Sequence, residues 1–175
     1  MHLWSKGGIT REALISFTCD SDRRYDERLA LYDITGSMAH AVMLWKCGII
    51  SADEKALLLE GLTTLFSDAE KGDLVLGSEY EDIHAFVEIC LRDKAGDIAG
   101  KLHAGRSRND QVLTDIHLWL RHHCSLLAAE LHNLAGLFLD LGEKHEADLM
   151  PGFTHMQPAM ISSFGLWFSA YAESM

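Results

Sequence analysis

Val112, Ile116, Trp119, His123, Leu127, Leu131, Leu134, Phe138 and Leu141 recur in steps of three and four without a break. These steps place their side chains along one side of an α-helix. A stripe kept over so many turns belongs to a bundle helix rather than to a short globular one. Such a helix needs other helices to cover it, so the chain is expected to be all-α. At 175 residues it has room for one domain and part of another. Its 48% hydrophobic content and only two prolines suit a well-buried helical protein rather than a disordered one.

The segments before this helix read the same way. Ile34, Met38, Ala41 and residues 43–45 predict a helix from Asp33 to Cys47, stopped at Gly48. In "SADEKALLLEGLTTLFSDAEKGD", Ser51 and Glu54 stand three apart as in a capping box, and Gly72 closes the end. Leu58, Leu62, Leu65 and Ala69 form the stripe between these signals. A third helix is expected over about Glu81 to Asp93, with Ile83, Val87, Cys90 and Leu91 facing inward. After the long helix, "HEADLMPGFTHMQPAM" is a break before another apolar, helix-like segment that is still running at Met175. No alternating pattern predicts a sheet. Residues 1–106 therefore read as a small N-terminal helical domain, and 107–175 as the beginning of a long-helix bundle whose remainder lies further on.

A formal charge of −11 argues against nucleic acid or an anionic membrane as the main partner. Cys19, Cys47, Cys90 and Cys124 are widely spaced and suggest a reducing, cytoplasmic setting. His122 and His123 are adjacent and point to different sides of a helix. With no HExxH or CxxC spacing, no metal site is expected. The start, "MHLWSKGGITRE", has no apolar signal core, and no stretch is expected to approach a membrane span.

Three polar segments can carry chemistry. "HAGRSRND", His103 to Asp110, leads through a glycine turn into a helix start, where free N–H groups and the helix dipole favour an anion. Arg106 and Arg108 add forked donors suited to carboxylate or phosphate, and Ser107 and Asn109 can either cap the helix or donate to a ligand. "PGFTHMQ" brings Thr154, His155 and Gln157 together at an expected helix start, with His155 able to titrate near neutral pH. "EYEDIHAF" clusters Glu81, Asp82 and His84. Read alone, each is first of all an ordinary helix start, and none would justify a function.

In order and spacing, "KLHAGRSRNDQV", "EDIH" and "MPGFTHMQ", with the opening "LW" and "DITGSMAHAVML", resemble the argininosuccinate lyases of the fumarase/aspartase superfamily. The resemblance implies a cytoplasmic homotetramer that reversibly cleaves argininosuccinate, a small-molecule substrate, into arginine and fumarate, with no metal or organic cofactor. By motif, Ser107, Arg108 and Asn109 would hold substrate, while Asp82 and His84 would line the same pocket. Thr154 would touch a substrate carboxylate, His155 would assist proton transfer, and Gln157 would be a lesser contact. Arg106 would serve the loop's own structure. The family's "SSxMPQKxNP" loop, with its serine base, is not among these residues, so the resemblance implies no turnover by this chain alone. The alternatives are another fumarate-producing lyase, such as adenylosuccinate lyase, and a non-catalytic structural protein built on the same fold.

Overall fold

The structure, a computed structural model, describes residues 23, 25–77 and 80–175. The opening Leu3-Trp4 pair and Cys19 lie outside the described residues. The chain divides into two compact units, Met1–Trp119 and Leu120–Met175.

The first unit holds α1 (Ala30–Lys46), α2 (Ala52–Glu70), α3 (Ile83–Ala95) and the first turns of α4 (Arg108–Lys144). Short 3-10 segments, Glu27–Leu29 and Gly96–His103, precede α1 and α4. The capping box before α2 forms as expected. Ser51 Oγ accepts the Glu54 N–H (3.1 Å), and Glu54 Oε2 accepts the Ser51 N–H (2.8 Å). Two amides without a helical partner are thereby satisfied. After Gly48 and Gly72, the N–H groups of Ile49 and Asp73 return to the carbonyls of Leu44 and Asp68 and close α1 and α2.

Ile34, Leu44, Leu58, Leu62, Ile83 and Leu91 are fully buried and form the centre of the core. Leu65 and Val87 join them, while Ala69 and Cys90 are only partly covered. The helices α2 and α3 meet closely at Gly61, where an added Cβ would lie 2.6 Å from Leu91 Cδ1.

The second unit contains the rest of α4, a hairpin of β1 (Leu149–Thr154) and β2 (Gln157–Ser163), and α5 (Phe164–Ser174). This antiparallel ribbon corrects the expectation that no sheet would form, although the fold remains helical around it. Pairing runs from Leu149↔Ser163 to Thr154↔Gln157, with an irregularity between Gly152 and Phe153. Pro151 and Pro158, which cannot donate a helical hydrogen bond, are tolerated because both strands of a ribbon are edges. Ser163 Oγ then caps α5 by accepting the Leu166 N–H (3.1 Å). Where α5 meets the end of α4, a Cβ on Gly165 would lie 2.6 Å from Glu146 Cα and 2.8 Å from the Gly142 carbonyl oxygen. That contact is backbone against backbone.

Along α4, Leu120, Leu126, Leu127, Leu131 and Leu134 are exposed. By length and composition alone, this helix is able to cross a membrane. That corrects the expectation that no stretch approaches a span: histidines and single polar residues interrupt the apolar run without lowering its mean enough to disqualify it.

The Gly61 contact generates a test by urea denaturation. Overpacking by a methyl group costs about 1–3 kcal/mol, against the ~1 kcal/mol that alanine gains over glycine within a helix. Gly61→Ala should therefore lower the midpoint. In a Leu91→Ala background the space is open, and the same substitution should raise it. Equal losses in both backgrounds would rule out the Leu91 contact as the cause.

Candidate functional site

The loop between the second 3-10 segment and α4 is held from several sides. Gly105 has a φ of +75°, a left-handed turn that a side chain would strain. His40 on α1 donates from Nε2 to the Ala104 carbonyl (2.9 Å). The Ser107 N–H donates to Asp110 Oδ2 (2.8 Å), and the Gln111 N–H returns to the Ser107 carbonyl (3.3 Å), so α4 starts at a defined point. Ser107 and Asn109 are exposed, and Arg108 is partly buried.

Asp82 has two tasks. Its Oδ1 accepts the Ala85 N–H (2.7 Å) and caps α3, while its Oδ2 lies 3.3 Å from Arg108 Nε. Arg108 Nη1 is buried with no hydrogen-bond acceptor among the described residues. A pinned guanidinium with a spare donor beside a helix start suits a carboxylate.

Beneath this loop is a buried polar cluster. His84 Nδ1 donates to Asp33 Oδ1 (2.9 Å) and lies 3.6 Å from Asp115 Oδ2. All three residues are almost fully buried. Gln111 Nε2 donates to the same Asp33 oxygen (3.4 Å), and an Arg106 Nη2 donates to Ser37 Oγ (3.1 Å). Burial alone would push the His84 imidazole down, but the hydrogen bond to Asp33 and the charges of Asp33, Asp82 and Asp115 raise it overall. Burial first, and Asp33 second, push the Asp115 carboxyl up to about 7 against the pull of His84 and Arg106. Burial lowers Arg106, with Asp33 and Asp115 opposing that shift. One ligand atom from each of Asp33, His84 and Asp115 lies within 4.8 Å of the others, a spacing open to a metal ion. The carboxylates favour a proton on His84, and Arg106 lines the same cavities, so the cluster can balance its charge from within.

The remaining candidates, Thr154, His155 and Gln157, belong to the second unit. Thr154 and Gln157 pair to close the hairpin, and His155 and Met156 form its exposed two-residue turn. This corrects the expected helix start. Both turn residues have positive φ, 49° and 61°, the handedness a tight hairpin needs and an L-residue resists. Sequence reasoning did not single out Asp33, Asp115, Gln111 or Ser37. A signal existed: Asp33 and Ser37 fall in register with Ala41 and Leu44 on the buried side of α1.

Comparison with known proteins bears on these motifs. The sequence model of a family described as Lyase matches residues 11–175. The chain is 44% identical over 173 residues to an argininosuccinate lyase from Phocaeicola vulgatus, covering 99% of this chain and 39% of that protein. With the argininosuccinate lyase of Bacillus subtilis, identity is 44% over 147 residues, covering 84% of this chain and 32% of the other. The chain thus spans about 39% of the first relative's length. Among solved structures, an EDDS lyase in complex with formate matches with a TM-score of 0.69 and 27% identity, covering 84% of this chain and 29% of that one. A fumarate lyase:delta crystallin from Brucella melitensis shares the fold, with a TM-score of 0.70 and 17% identity, covering 86% and 38% respectively.

The buried cluster predicts a pH dependence. A carboxyl whose pKa rises on folding contributes stability that is complete below its unfolded value and is lost as pH rises through the folded one. For Asp115 this window runs from 3.8 to about 7. Asparagine does not titrate. Relative to wild type, Asp115→Asn should therefore gain stability between about pH 5 and about pH 7.5, with a relative Tm rise of roughly 5 °C. A flat or falling difference in thermal melts would contradict the assignment.

Proposed function

The chain belongs to the lyase family, and from that premise we propose that it serves argininosuccinate lyase chemistry: reversible elimination of fumarate from argininosuccinate, leaving arginine. In this reading a base removes a proton from the carbon beside a substrate carboxylate. The C–H electron pair becomes the new C=C bond as the C–N bond breaks, and the guanidinium of arginine departs with the nitrogen's electrons and a proton. Negative charge grows on the carboxylate in the transition state, where aimed N–H groups and cations stabilise it most.

The observation that carries the proposal is the arrangement of Arg108. Its Nε is fixed by Asp82, its Nη1 has no acceptor among the described residues, and it sits on the first turn of a long helix. Ser107 and Asn109 flank it and are open to a ligand. In this role Ser107, Arg108 and Asn109 bind a substrate carboxylate, Asp82 positions Arg108, and His84 supports the pocket from below. Thr154 contacts a second carboxylate, His155 assists proton transfer, and Gln157 is a lesser contact. Residues 1–106 act as the N-terminal domain, and 107 onward as the start of the bundle. The proposed assembly is a cytoplasmic homotetramer without metal or organic cofactor.

Calorimetric titration with argininosuccinate tests this reading. Arg108→Ala removes a charge-assisted contact worth about 1.5–3 kcal/mol, so binding should weaken by roughly 10- to 100-fold. Arg108→Lys should recover only part of the loss, because an ammonium lacks the planar fork. Unchanged affinity in Arg108→Ala, or a preference for adenylosuccinate, would defeat the proposal.

A further inference from the structure

Arg106 connects the buried cluster to the loop above it. Ser107, the residue next to it, and Asn109 are exposed on either side of the partly buried Arg108, while the Arg106 guanidinium reaches inward to Ser37 on α1. Arg106 lines one small cavity with Asp33, Ser37, His84 and Gln111, and a second with Gln111 and Asp115. We propose that Asp33 and Asp115 are positioning residues, which share a proton with His84 and through that proton set the seat of Arg106 and hence the posture of residues 105–108. The inference rests on reading this loop as the carboxylate-binding segment.

The geometry favours one linked unit over three separate contacts. His84 Nδ1 lies between the two carboxylates, 2.9 Å from Asp33 and 3.6 Å from Asp115. The charged groups facing the cluster come from every segment around it. Asp26 precedes α1, Asp82 caps α3, and Arg108 and His103 flank the loop. Glu88 on α3 faces Arg106 and His103. An ionised Asp115 draws on His84 and Arg106 for its balancing charge. Protonation of Asp115 removes one negative charge from the cavity that it lines with Arg106 and loosens the hold on that guanidinium. The loop should therefore be most firmly seated when Asp115 is ionised.

The experiment is an NMR titration of the whole chain from about pH 5.5 to about pH 8.5, reading the Asp115 carboxyl, the His84 ring and the amides of residues 105–108. In wild type, the loop amides should shift with the same midpoint as Asp115. Asp115→Asn should abolish that loop titration, and Asp115→Glu should restore it. Ser37→Ala, which cuts the link to Arg106, should leave Asp115 titrating while halving or removing the response of the loop. Loop amides that ignore pH in wild type, or titrate identically in Asp115→Asn, would overturn the proposal. Saturable loss of the His84 ring signals on adding zinc, reversed by a chelator, would also overturn it in favour of a metal site. In parallel, fumarate affinity should rise several-fold as pH passes through the Asp115 midpoint in wild type and stay flat in Asp115→Asn. Failure of every form to bind fumarate would defeat the lyase reading, while the amide titration judges the positioning role separately.

Discussion

Removing the Asp33 carboxylate from water is the constraint on which the first unit depends. An ionised carboxyl buried without partners would cost several kcal/mol. Here the residues that offset that cost come from separate stretches of chain: His84 from α3, and Gln111 from the first turns of α4. Arg106 adds its charge from the loop. None can be placed correctly until the others are. The cluster therefore joins α1, α3 and α4 in a single register, and the apolar core of Ile34, Leu58, Leu62 and Leu91 packs within that frame. Hydrophobic contact alone is non-directional and would allow neighbouring arrangements; hydrogen-bonded polar groups discriminate among them.

The long helix obeys a different constraint. Near its start it contributes Gln111 and Asp115 to buried contacts, and near its end Gly142 allows α5 to approach backbone to backbone. Between these points its leucines face solvent. A long apolar stripe left in water marks a surface for association. Its polar interruptions beside that stripe, such as His122, His132 and Asn133, are of a kind that a bundle helix carries on its outer sides.

Much of the helical framework was legible in the sequence because its signals are local. The Ser51–Glu54 box, the glycine stops and the three- and four-residue apolar steps each act within a few turns. The hairpin was not legible. Its strands contain Pro151, Gly152 and Pro158, do not alternate in polarity, and turn through His155-Met156 instead of an Asn-Gly pair. Within the candidate site, the loop around Arg108 and the Asp82–His84 pair drew attention by motif. Asp33 and Asp115 did not, since a lone acidic residue in an amphipathic helix normally marks its wet side. Only the heptad-like register of Asp33 with Ser37, Ala41 and Leu44 hinted otherwise, and the identity of its partners depends on contacts between residues 51 and 78 positions apart.

The turn at His155 and Met156 has a stereochemical consequence. Both residues occupy backbone angles that belong naturally to the mirror-image amino acid. In a chain assembled by chemical synthesis, D-methionine at position 156 would sit in the lower-energy isomer for that bend, and the hairpin would close with less strain than the ribosomal product. The natural chain keeps an L-histidine and an L-methionine there instead, pointing each side chain where the opposite hand would not.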